Sequence, residues 1–218
     1  MTPRIRIFLV DDHPLVREWL GNLLRLQPDM EVVGSAGDAN QALRAMVHAP
    51  PDVAIIDLTL QRGSGLQLIK DLDGQLPETR VVVLSMHEEI GDIERALRAG
   101  ARGYVMKRES TSQVVDAIRQ VLAGRIFADA SVLAKMAERL VGRPEAASGP
   151  TDEVLSDREL EVFRRLGQGH STRRIADDLG LSLKTVQTYC TRMKEKLAVG
   201  DANELMRAAV RWVEGRKL

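Results

Sequence analysis

The sequence predicts a doubly wound parallel α/β domain followed by a small all-helical domain. Three observations carry that prediction. Short apolar, β-branched runs alternate with segments of helical period up to about residue 122. A Pro- and Gly-punctuated stretch without periodicity follows. Beyond it the pattern is helical only. The 218 residues suffice for two ordinary domains or one large one, and an apolar content of 44% can fill their cores.

The strand runs at 5–10, 53–56, 81–84 and 103–106 are almost continuously apolar, as parallel strands covered on both faces should be. Helical spacing is carried by Leu15, Leu20, Leu23 and Leu24, then Ala42, Leu43 and Met46, then Leu66, Leu68, Ile69 and Leu72. It continues in Ile93, Ala96 and Leu97, and in Val114, Val115, Ile118 and Leu122. Gly100 and Gly124 fall where helices should end. Strand and helix alternate five times, which suits a flavodoxin-like five-stranded parallel sheet in the order 2-1-3-4-5 better than a barrel. One more amphipathic helix is expected over 129–142, on Val132, Leu133, Met136 and Leu140, before a linker at 142–150. The expected domains are 1–122, a connecting 123–151 and 152–218.

In the last of these, Ser156 and Glu159 have capping-box spacing ahead of Leu160, Val162, Phe163 and Leu166. Gly167 and Gly169 close that helix. A short helix from Thr172 to Leu179 stops at Gly180, Ser182 caps a longer one reaching about Leu197, and Asp201 with Glu204 opens a fourth. A short helix, a Gly turn and a longer helix outline a helix-turn-helix within a four-helix domain.

Composition excludes several classes. No apolar stretch approaches the roughly 20 residues that span a bilayer, and the N-terminus lacks the regions of a signal peptide. The single Cys190 cannot form an internal disulfide, so a cytoplasmic location is expected. Acidic and basic residues balance, 31 against 31, but the C-terminal part groups Lys184, Arg192, Lys194 and Lys196, a weak nucleic-acid signal. Aromatics at 3% argue against a base-stacking single-strand binder.

Asp11, Asp12, Asp57, Ser85 and Lys107 each follow or end one of the apolar runs. In an open parallel sheet, residues just past the carboxyl ends of neighbouring strands converge in one crevice. Clustered carboxylates repel one another and favour a hard divalent cation such as Mg²⁺. The Asp57 carboxylate can act as a nucleophile toward phosphorus, with Lys107 and the Ser85 hydroxyl placed for phosphoryl oxygens. Singly, each has a plainer explanation: Asp11 and Asp12 as caps of the first helix, Lys107 as a solvated edge charge. Jointly they describe a metal site beside a phosphorylatable aspartate.

Over residues 4–122 the sequence resembles the receiver domains of two-component response regulators. The resemblance rests on the acid pair Asp11-Asp12, on Asp57, Ser85 and Lys107 after their strands, and on His13-Pro14 and Gly65. It implies Asp57 as phosphoacceptor for a sensor histidine kinase. It implies Mg²⁺ held by Asp12, Asp57 and the backbone carbonyl of Thr59, with Asp11 helping through water. Ser85 would be the switch hydroxyl, and Tyr104 the aromatic that swings inward. Leu60-Gln61-Arg62 stands where many receivers carry Met-Pro, and Ser85 where Thr is commoner.

Val186, Cys190, Met193 and Leu197 form one apolar stripe, so that side of the third helix should face the core, with Cys190 a small buried residue. The opposite side carries Lys184, Gln187, Thr188, Thr191 and Arg192, side chains suited to a major groove. Leu155-Ser156-Asp157-Arg158-Glu159, Ile175-Ala176, Leu179-Gly180-Leu181-Ser182, Lys184-Thr185-Val186 and Lys196-Leu197 together resemble the LuxR/FixJ-type helix-turn-helix over about residues 152–216. The resemblance implies promoter DNA as partner, with Lys184, Thr185, Gln187, Thr188, Thr191 and Arg192 on it. It also implies homodimerisation through the last helix, at Leu205, Ala209, Trp212 and Val213. Many relatives have Lys-x-His where this chain has Gln187-Thr188-Tyr189.

The combined reading is a transcription regulator of the NarL/FixJ kind. It would not be an enzyme beyond phosphoryl transfer to its own Asp57 and slow self-dephosphorylation. An aspartyl-phosphate hydrolase would commonly carry a second Asp at position 59, where Thr59 stands. A metabolite-sensing factor with the same helix-turn-helix would need a roomy apolar pocket in place of the carboxylates. A receiver that works without phosphate would not need the Asp11, Asp12, Asp57 and Lys107 set.

Overall fold

A computed structural model of the chain describes residues 4–86, 90–108, 111–128, 130, 132–134, 137, 151 and 154–215. The chain divides into two compact units, Met1–Glu145 and Ala146–Leu218.

The first unit alternates β1 (Ile5–Val10), α1 (Pro14–Arg25), β2 (Met30–Ala36), α2 (Ala39–His48), β3 (Val53–Ile56) and α3 (Gly65–Gln75). It continues through β4 (Arg80–Ser85), α4 (Ile90–Arg98), β5 (Gly103–Met106), α5 (Thr111–Leu122) and β6 (Phe127–Ala128). All pairings are parallel, in the order β2-β1-β3-β4-β5-β6. The expected order 2-1-3-4-5 is therefore extended by a sixth strand. Phe127 and Ala128 pair with Gly103 and Tyr104 at the β5 edge, and two residues are too few to show any periodicity in sequence.

Period-two alternation divides the core in two. Phe8, Val10, Ala54, Ile56, Val81, Val83 and Tyr104 face one layer, closed by Ala42 and Met46 of α2, Leu68 and Leu72 of α3, and Ile93 of α4. Ile7, Leu9, Val53, Ile55, Val82, Leu84 and Val105 face the other, closed by Leu20 and Leu24 of α1 and Val114, Ile118 and Val121 of α5. Two covered faces are why the strand runs carry almost no polar positions, Arg6 near the start of β1 being an exception. Of the helix expected over 129–142, positions 130, 132–134 and 137 are described and helical, and Val132 is buried. Met136, Leu140 and the linker at 142–150 lie outside the described residues.

The second unit contains α6 (Asp157–Gly167), α7 (Thr172–Leu179), α8 (Leu183–Lys196) and α9 (Ala202–Gly215). Its boundaries follow local chemistry. Ser156 and Glu159 form the full capping box, Ser171 and Ser182 accept from Arg174 and Thr185 amides, and Gly180 ends α7 in the left-handed conformation at φ 65°. Asp201 accepts from the Asn203 and Glu204 amides, both at 2.8 Å. The core gathers Leu160, Phe163, Ile175, Leu179, Val186, Met193, Leu205 and Ala209.

Candidate functional site

The crevice is built by strand register. Val10 pairs with Ile56, so Asp11 and Asp57 leave adjacent strands side by side. The Asp57 amide donates to the Val10 carbonyl at 2.8 Å, and the Lys107 amide to the Ser85 carbonyl at 2.8 Å, which ties β5 to β4 at the same end. Gly65, the first residue of α3, lies beneath the Asp57 peptide. A Cβ there would stand 2.1 Å from the Asp57 carbonyl oxygen and 2.7 Å from Leu58 Cα. Only a glycine lets α3 begin so close to that loop.

Lys107 bridges the two buried carboxylates, with Nζ 2.6 Å from Asp11 Oδ2 and 2.7 Å from Asp57 Oδ2. Asp11 is 2% exposed and Asp57 5%, so the ammonium neutralises charges that water barely reaches. The other Asp57 oxygen, Oδ1, accepts from the Thr59 amide at 3.1 Å. Burial pushes the Asp57 carboxyl above its ordinary value, and Lys107 only partly opposes it. Burial also pulls on Lys107, but Asp57 and Asp11 overcome that pull and hold the ammonium above the usual lysine range.

Asp12 Oδ1 is buried and makes no hydrogen bond, although His13 Nδ1 stands 2.8 Å away. One ligand atom each from Asp11, Asp12, His13 and Asp57 lies within 4.8 Å of the others. An unsatisfied buried carboxylate oxygen among hard donors fits a small divalent cation such as Mg²⁺. The plainer explanation of the acid pair fails. The N-cap of α1 is His13, with Pro14 starting the helix and no side-chain cap, while Asp11 Oδ1 accepts from the His13 amide at 2.8 Å. Sequence reasoning missed Arg17, whose guanidinium donates to the Asp11 carbonyl at 2.5 Å; one arginine on an amphipathic helix gives no signal. Ser85 and Tyr104 are both fully buried, Tyr104 within the layer that contains α4.

In the second unit, α8 presents Lys184, Gln187, Thr188, Thr191 and Arg192 as exposed side chains. Thr185 is half-buried, its hydroxyl 2.7 Å from Ser182 Oγ, so it braces the cap of α8. On the opposite side Val186 and Met193 are fully buried, whereas Cys190 and Leu197 are only half-buried. The expectation of a buried Cys190 is corrected to that extent, and what burial it has pushes its thiol pKa up. The burial of two charges, Glu159 and Arg165, went unseen in sequence. Glu159 Oε2 receives Lys196 Nζ of α8 at 2.6 Å. Arg165 joins Glu161 at 2.9 Å and Asp178 of α7 at 3.4 Å.

The expected dimer residues need correction. Leu205 and Ala209 are buried, at 2% and 0% exposure, in the unit's own core. A Cβ on Gly167 would stand 2.3 Å from the Ala209 carbonyl and 2.6 Å from Val213 Cγ2, so α9 lies hard against α6. Trp212 meets Phe163 edge to face at 5.8 Å and carries the Arg164 guanidinium over its ring. A helix closing a small core spends its apolar stripe there. Trp212 and Val213 keep partial exposure.

Residues 7–119 match the response regulator receiver domain family, and residues 153–209 match the bacterial regulatory proteins of the luxR family. The chain is 32% identical over 200 residues to the transcriptional regulatory protein LiaR of Bacillus subtilis, covering 92% of this chain and 94% of that one. It is 36% identical over 207 residues to the transcriptional activator protein ExaE of Pseudomonas putida, covering 94% and 95%. Among solved structures, RcsB of Salmonella enterica serovar Typhimurium, bound to a promoter with the phosphomimetic BeF3⁻, superposes with a TM-score of 0.66 at 25% identity, covering 94% and 98%.

Proposed function

The chain belongs to the two-component response regulators, a receiver domain followed by a DNA-binding domain of the LuxR type, and from that premise we propose that phosphorylation of Asp57 switches its binding to promoter DNA. The observation that carries this reading is the Lys107 ammonium held between buried Asp11 and Asp57. Its charge opposes the upward push that burial gives the Asp57 carboxyl and so favours the ionised form that can attack phosphorus.

An Asp57 oxygen attacks the phosphorus of a phosphohistidine on a sensor kinase; the O–P bond forms as the N–P bond breaks, and the electron pair leaves with the imidazole. Asp12, Asp57 and the Thr59 carbonyl would hold Mg²⁺, with Asp11 beside them. Mg²⁺, when bound, neutralises charge between the carboxylates and the incoming phosphoryl oxygens. Lys107 passes from the Asp57 oxygen to a phosphoryl oxygen, and the Ser85 hydroxyl turns to another. Drawing Ser85 away from its buried setting repacks the layer around Tyr104 and α4, a two-state change.

The receiver reading covers 1–122 and the DNA-binding reading 152–218, joined by 123–151. RcsB in complex with a promoter supports placing α8 in a major groove, where Lys184 and Arg192 meet phosphates and Gln187, Thr188 and Thr191 face bases. Dimers, paired through the exposed edges of Trp212 and Val213, would engage two half-sites. Cytoplasmic placement is part of this proposal; no helix among the described residues is long and apolar enough to cross a membrane.

Intact mass after incubation with Mg²⁺ and acetyl phosphate tests the central step. One added phosphoryl group on the parent chain, and none on Asp57→Asn, is the expected result. No addition to the parent chain, with Mg²⁺ shown to bind by titration, would refute the phosphoacceptor reading.

A further inference from the structure

We propose that Thr188 and Thr191 read thymine through their methyl groups, so that the half-site bases facing the middle of α8 are A·T pairs. This inference rests on the reading of α8 as the recognition helix and specifies what it recognises. Lys184, Gln187, Thr188 and Thr191 follow one another at i, i+3, i+4 and i+7, forming a single exposed stripe. Lys184 and Gln187 make no side-chain hydrogen bond or ion pair among the described residues. The two threonines differ. Thr188 Oγ1 donates to the Lys184 carbonyl at 2.9 Å, and Thr191 Oγ1 donates to the Gln187 carbonyl at 3.2 Å.

A hydroxyl has one proton to donate. Both are committed to carbonyls one turn back, so toward a ligand each oxygen can only accept. Phosphate oxygens, guanine N7 and O6, and thymine O4 are themselves acceptors, and none can bond these threonines without breaking the hydrogen bond to the helix backbone. What remains is an amine, on adenine N6 or cytosine N4, or an apolar contact with the thymine C5 methyl. Turning Oγ1 back along the helix leaves Cγ2 as the outward group, which favours the methyl contact. Of the base pairs, only A·T offers both an amine and a methyl. Gln187 on the same stripe adds a side chain whose amide matches adenine N6 and N7 in a bidentate pair. All three residues point to one base pair type, and Lys184 and Arg192 at the flanks fit phosphates.

The test uses the full-length chain, phosphorylated with acetyl phosphate, and duplexes selected from a randomised library. Half-sites should show A·T pairs at the positions facing α8. Replacing their thymines with uracil removes only the C5 methyl and should weaken binding about four-fold for each methyl removed, the effect of one buried carbon. Thr188→Ser and Thr191→Ser should weaken binding similarly and lose their sensitivity to uracil. Thr188→Val and Thr191→Val keep the methyl and lose the hydroxyl, and should bind within about two-fold of the parent chain. Selected half-sites with G·C at these positions, an indifferent response to uracil, or Val variants that lose binding while remaining helical would each overturn the proposal. If the parent chain retains no duplex sequence at all, the recognition-helix reading falls and this inference with it. Sequence-specific binding without a methyl effect overturns this inference alone.

Discussion

Lys107→Met exchanges the bridging ammonium for an apolar side chain of similar length. It leaves Asp11 and Asp57, 2% and 5% exposed, facing each other without the cation now 2.6 and 2.7 Å away. Breaking a buried pair by removing one partner costs about 3–5 kcal/mol. Since Lys107 itself keeps an 11% exposed side chain, we expect about 3 kcal/mol for the first unit at pH 7 without divalent cations. Urea unfolding followed by Trp19 fluorescence in a Trp212→Phe background isolates that unit, because these are the only two tryptophans. The pH dependence separates electrostatics from packing. The Asp57 carboxyl already lies above its ordinary value, through burial, and losing Lys107 raises it further. A group raised on folding is stabilising while protonated, and that stability is lost as pH rises through its folded pKa. The deficit of the variant should therefore shrink as the pH falls below 7 and Asp57 takes up a proton. A deficit below about 1 kcal/mol at pH 7, or one that does not change with pH, would refute the argument.

Two further substitutions test the frame around each site. Gly65→Ala drives a Cβ to 2.1 Å from the Asp57 carbonyl oxygen, so it should destabilise the first unit by at least about 2 kcal/mol; an unchanged urea midpoint in the Trp19 assay would contradict the packing described. Glu159→Gln keeps an acceptor for the capping box but loses the charge facing Lys196 Nζ at 2.6 Å, at a cost of about 1–2 kcal/mol to the second unit. Burial would raise the Glu159 pKa, but Lys196 and Ser156 hold it below the ordinary value. Its stabilisation is thus complete above the unfolded-state pKa and lost as pH falls through the folded one. The variant and parent chain, followed by Trp212 in a Trp19→Phe background, should differ at pH 7 and converge under acid conditions.

Much of the fold was legible because its signals are local. The strand at 53–56 and the helix from Thr172 to Leu179 have their expected bounds, set in one case by an unbroken apolar run and in the other by Ser171 and Gly180. The capping box at Ser156 and the stop at Gly180 are short-range hydrogen-bonding and steric rules, and they survive folding unchanged. The dimer residues misled because an apolar stripe states that a helix face is covered and not by what. Leu205 and Ala209 are covered within the core of their own unit, Ala209 lying against Gly167 of α6. The capping role of Glu159 was legible, but its burial and that of Arg165 were not, because a charged residue in a helix is ordinarily solvated; only the arrival of Lys196 and Asp178 from other helices makes that burial tolerable.

By itself, the sequence determined the alternation of elements, the strand ends on which Asp11, Asp57, Ser85 and Lys107 stand, and the polar stripe of α8. These depend on the chemistry of neighbours a few residues apart. Tertiary structure alone decided which oxygen Lys107 grips, that Asp12 Oδ1 is left unsatisfied, that Gly65 must yield space to the Asp57 peptide, and that the apolar side of α9 closes a core. The Lys107 bridge, for one, joins segments 50 residues apart in the chain. Its distance and burial are set by how sheet register and helix packing bring the segments together, which no local pattern encodes.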